Sequence, residues 1–87
     1  MSIDTIKQNA EILNEAIIKL NSFILELDSL KKNHETSKNR KEKRLIEEQI
    51  TSIKIKIRDL TNYILKVQVT MQKLIDEELQ YNAQQFA

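Results

Sequence analysis

Apolar residues recur along the first third of the chain at Ile3, Ile6, Ala10, Leu13, Ile17, Leu20, Ile24 and Leu27, alternating steps of three and four without a miss. Such spacing predicts a helix whose seam packs on another helix. With Ile3 as heptad position a, Ile6 is d. The pattern restarts from Ile46 as Ile50, Ile53, Ile57, Leu60, Ile64, Val67, Met71 and Leu74, with Ile50 as a and Ile53 as d. The two seams are out of phase. Continuing the first would put Lys38, Lys41, Glu48, Ser52 and Asp59 in a core, so a break between them is expected.

The break falls in Asn33-His34-Glu35-Thr36-Ser37-Lys38-Asn39, where short polar side chains compete for backbone hydrogen bonds. Asn39 followed by Glu42 reads as the N-cap of a second helix. His34 suits the C-terminal dipole of the first. The expected layout is a single domain over 1–87, with a helix at about 3–33, a polar loop at about 34–39 and a helix at about 40–84. An antiparallel fold that pivots in this loop pairs Ile24 with Ile53, Ile17 with Leu60 and Leu27 with Ile50. The fold class expected is therefore all-α, a two-helix coiled-coil hairpin.

A hairpin this small buries one thin seam, and such a core supplies few kcal/mol. Closure of a four-helix bundle by dimerisation or hetero-association is the expected remedy. In this register the g positions Ala16, Phe23, Leu30 and Tyr63 form an apolar edge. The e edge carries Lys7, Asn14, Asn21, Asp28, Lys54 and Thr61, so the second hairpin is expected on the g side. A sparser apolar set, Ile18, Leu25, Leu65, Val69, Leu79, Tyr81 and Phe86, supplies further candidate interface residues.

Composition sharpens this picture mainly by exclusion. The 87 residues include no Gly, Pro, Cys or Trp. Hairpin turns between strands and Gly-rich phosphate loops are thereby excluded, as are disulfides and cysteine-ligated zinc. His34 is the single histidine, and the acidic groups Glu47-Glu48 and Asp76-Glu77-Glu78 are sequence neighbours that fan apart on a helix. No catalytic, cofactor-binding or metal-ligating set is expected, and no enzymatic activity. No apolar run exceeds three residues, so no membrane span is expected. The N-terminal residues have neither the basic nor the apolar region of a cleaved signal, and the expected location is cytoplasmic, or outside by export without such a signal.

Net charge is +1, but it is unevenly spread. Residues 31–58 hold ten basic and four acidic side chains, and the rest of the chain holds four basic and nine acidic ones. The densest basic group, Lys38, Arg40, Lys41, Lys43 and Arg44, is a candidate anion-binding set. The leading expectation is a non-enzymatic protein-interaction module, an adaptor, chaperone or complex subunit, whose partner is itself or a second helical protein. The alternative is a small nucleic-acid-binding bundle that uses the basic stretch 38–58. In length and hairpin layout the chain is similar to the small helical partners of type VII secretion. It has neither Trp nor Gly, so that family's Trp-Xaa-Gly turn has no counterpart and no residue role carries across.

Overall fold

The computed structural model describes residues 2–86, with side chains over 3–80. Two helices, α1 (Ser2–Thr36) and α2 (Arg40–Phe86), fold back on each other as a rod with extents of 70 × 16 × 15 Å. The chain is an all-α hairpin, as the two out-of-phase seams require.

The reversal takes only Ser37, Lys38 and Asn39. α1 continues through Thr36, three residues past its expected end. The Ser37 N–H donates to the Asn33 carbonyl at 3.0 Å, and the Thr36 hydroxyl lies within 3.3 Å of the carbonyls of Lys32 and Asn33. Polar side chains in this stretch thus bond back onto their own helix and close its last turn. Asn39 caps α2: its Oδ1 accepts the Lys41 N–H at 2.9 Å and lies 3.5 Å from the Glu42 nitrogen. Two donors that the first turn leaves unpaired are thereby met. No positive φ occurs among the described residues, which is how a chain without glycine turns here.

α2 buries the stripe expected of it. Ile46, Ile53, Ile64 and Val67 are buried, and Ile50, Ile57, Leu60, Met71 and Leu74 are half-buried. α1 does not. Its protected positions are Ile6, Asn9, Leu13, Ala16, Leu20, Phe23, Leu27, Leu30 and His34, a d/g seam, while Ile3, Ala10, Ile17 and Ile24 at a remain exposed. Relative to the expected packing, α1 is rotated about its axis by one heptad slot, about 50°.

Register moves with the rotation. His34 reaches Glu47, the Phe23 ring lies beside Lys56, and Lys19 shares a groove with Tyr63. These contacts set Leu27 level with Ile53 and Leu20 level with Leu60. Each α1 residue therefore meets α2 about three residues further along than the sequence pairing placed it.

The physical reason lies in the width of the α1 stripe. Its g, d and a rows are all largely apolar, so α2 covers two of the three. An a/d seam would carry Lys31 into the core beside the loop and leave Phe23 and Leu30 outside. The d/g seam half-buries the aromatic ring and Leu30 and places His34 where it bonds Glu47. Its cost is Asn9 in a seam position, offset by a hydrogen bond that its Nδ2 donates to the Thr5 carbonyl at 2.8 Å.

Candidate interaction surface

Residues two apart on a helix point about 200° apart, so each helix shows a different set of residues on each flank of the hairpin. One flank carries Lys19 and Glu26 of α1 beside Gln49, Lys56 and Tyr63 of α2. It is grooved and mixed in character. Lys19, Phe23, Lys56, Asp59, Leu60 and Tyr63 line an open depression of about 640 Å³, with the Lys19 and Lys56 Nζ atoms 5.9 and 6.0 Å from the centroid of the Phe23 ring. Towards the loop it continues between Glu26, Leu30, Gln49, Ser52 and Lys56.

The other flank carries Ile3, Ala10, Ile17 and Ile24 of α1, with Lys54, Thr61, Gln68 and Ile75 of α2 beside them. Ile17 is 46% exposed and Ile24 is 48% exposed, a large residue for each at a position next to the core. The Thr61 hydroxyl is satisfied by the Ile57 carbonyl at 2.7 Å, so it makes no polar demand on a neighbour. Leu65 and Leu79, both exposed, flank this row on α2. From the open end to mid-rod this α1 row is apolar, bordered by Lys7, Asn14 and Asn21 on α1 and by Thr61 and Gln68 on α2, and towards the loop it gives way to Lys31, Arg44, Glu47, Lys54 and Arg58.

Rotation of α1 thus redistributes the interface residues expected from sequence. Ala16 is buried against α2, and Phe23 and Leu30 are half-buried there, so these three are part of the hairpin's own seam and not a free edge. Tyr63 is exposed on the grooved flank. Ile18 and Leu25 are exposed on the outer face of α1, and Leu65 and Val69 line a shallow depression on α2 with Lys66 and Thr70. Leu79 is exposed, and Tyr81 and Phe86 lie outside the residues whose side chains are described. Sequence reasoning assigned Ile3, Ile17 and Ile24 to the seam and so missed them as surface. The signal was present in Lys31, which occupies the next a position and interrupts that row at the loop.

The basic residues gather at the loop end but do not form one concave site. Arg40, Lys43 and Arg44 line a shallow depression together with Glu47, whose Oε1 is already held by His34 Nε2 at 2.9 Å. Lys43 is half-buried, whereas Lys38 and Lys41 are exposed. Among the described residues, no three His, Cys, Asp or Glu side chains come together as a metal site requires, and no helix is long and apolar enough to cross a membrane. Compared with family models, with curated proteins and with solved structures, the chain matches none of them.

Proposed function

We propose that this hairpin is a protein-interaction module, an adaptor, chaperone or complex subunit that works through its exposed helix faces. One observation carries the reading. Among the described residues, twelve large apolar side chains are at least 40% exposed, against four buried ones, Ile46, Ile53, Ile64 and Val67. Scattered apolar residues are ordinary on protein surfaces, but Ile3, Ala10, Ile17 and Ile24 share one helix face directly beside the seam. The experiment is a tagged pull-down by the full chain, run with and without nuclease, beside the variant Ile17→Lys/Ile24→Lys. A protein retained after nuclease by the parent and lost by the variant is the expected result. A parent chain that neither self-associates nor retains any protein overturns the reading.

The second reading is a nucleic-acid-binding bundle that uses 38–58. It draws on the ten basic side chains of the loop half and on the depression between Arg40, Lys43 and Arg44. Against it stand the engaged Glu47 carboxylate among those cations and the position of Phe23 on the other flank, away from the basic tip. Binding to RNA or DNA that weakens steeply with salt, and that is reduced by replacing Lys41, Lys43 and Arg44 with Ala, would favour this reading instead.

A further inference from the structure

We infer that the apolar flank Ile3–Ala10–Ile17–Ile24 is covered by a second copy of this chain, laid antiparallel to the first, so that two hairpins close a four-helix bundle. The inference rests on the protein-interaction reading and commits it to one partner. Three observations carry it.

The first is area. The hairpin exposes 7119 Å², whereas a compact monomer of 10.3 kDa exposes about 5,400 Å². The surplus, about 1,700 Å² per chain, is roughly twice what one partner contributes to an interface of standard size. Among the described residues no side chain is fully buried, so the surplus reflects a core only one seam deep.

Charge is the second. The fold sets 22–58 in the loop half of the rod, with ten basic and six acidic side chains. The remaining four basic and seven acidic side chains occupy mid-rod and the open end. Parallel copies would set like on like. Antiparallel copies set each basic loop end beside an acidic open end, where Asp4, Asp76, Glu77 and Glu78 lie.

Level is the third. The apolar row from Ile3 to Ile24 is centred near Leu13 and Asn14. The midpoint of α2 is Tyr63, which lies level with Ile17 of α1. The two centres are about one helical turn apart. A two-fold axis through the middle of the apolar row therefore staggers the copies by about 10 Å and leaves them overlapping along about 60 Å, which sets Asp76, Glu77 and Glu78 of one copy beside the Lys54–Arg58 stretch of the other. An isologous contact needs one self-complementary patch, and this axis sets Ala10 of each copy opposite Ile17 of the other and Ile3 opposite Ile24.

The test uses the full chain and sedimentation equilibrium from low to high micromolar concentration. A dimer is expected. Ile17→Lys/Ile24→Lys is expected to raise its Kd by about a hundredfold or more, because each substitution enters a two-fold interface twice. Both residues are exposed in the single hairpin, so the variant should keep the helical circular dichroism of the monomeric parent. Tyr63→Ser, on the opposite flank, is expected to leave Kd unchanged. Added salt should weaken an antiparallel dimer and would strengthen a parallel one. A nitroxide on Lys38→Cys, unique because the chain has no cysteine, reports orientation directly. Antiparallel copies hold the labels apart by more than the 70 Å rod length, and parallel copies bring them within about one rod width, 16 Å.

A chain that stays monomeric overturns the inference. If that monomer still retains a protein through Ile17 and Ile24, the interaction reading survives with another partner, and if it retains none, both fall. A dimer that ignores Ile17→Lys/Ile24→Lys, that dissolves on Tyr63→Ser, or that holds its two labels close together also overturns it.

Discussion

α2 shows one apolar row pair with charged and polar side chains on both sides, so only one of its faces suits a seam. α1 shows three adjacent apolar rows, of which α2 covers two. The difference between the helices explains both the packing and the surface. A helix with a narrow stripe has its orientation set by its own residues, whereas one with a wide stripe is oriented by whatever packs against it. The uncovered row of α1, with Ile3, Ile17 and Ile24, stays exposed in the single hairpin.

The largest effect that tests this comparison is expected at Ile53, which is only 4% exposed. Ile53→Ala removes a side chain from the middle of the seam and should cost about 3 kcal/mol, read from urea unfolding followed at a concentration where the chain is monomeric. Ile24→Ala, at a position that the a/d pattern ranks as equally central, should cost less than about 1 kcal/mol under the same conditions. Equal losses would mean that α1 turns its a row inward after all.

Next in size is Ala16→Leu. Ala16 is 7% exposed and lies level with Ile64, so a larger side chain has no room without forcing the helices apart. A loss of about 1–3 kcal/mol is expected. In an a/d-packed hairpin the same change would enlarge an apolar edge and leave the fold unharmed.

These two expectations bear on how much was legible beforehand. Element number, the break near Asn39 and the α2 seam follow from local rules, because a cap and a two-row stripe each have one solution. The α1 seam did not follow. Heptad spacing scores the a/d and d/g choices of α1 almost alike, and Phe23, Leu30 and Lys31 decide between them only once α2 is there to be packed against. The candidate surface inherits that ambiguity: the apolar edge expected on the Phe23 side becomes the seam, and the surface passes to Ile17 and Ile24.

Smaller effects concern the loop end, where both helices contribute. Asn39→Ala removes the acceptor of the Lys41 N–H and should cost about 1 kcal/mol in the same unfolding experiment. His34→Ala breaks the contact with Glu47 across the two helices. The pair is partly exposed, so the expected loss is about 0.5 kcal/mol. A much larger loss would show that this contact, and not the width of the apolar stripe, holds α1 in its rotated register.

By itself the sequence determined that the chain is two helices, that they reverse at a polar loop ending in Asn39, and that basic charge collects at one end of the rod. All three rest on interactions between residues close in the chain, or on counting charges along it. Only the tertiary structure decided which two of the three apolar rows of α1 form the seam, how far α2 slides along it, and hence which isoleucines face outward. Those choices depend on side-chain volumes meeting across the two helices, where Phe23 and Leu30 outweigh Ile17 and Ile24, and no pattern along one strand of sequence contains that comparison.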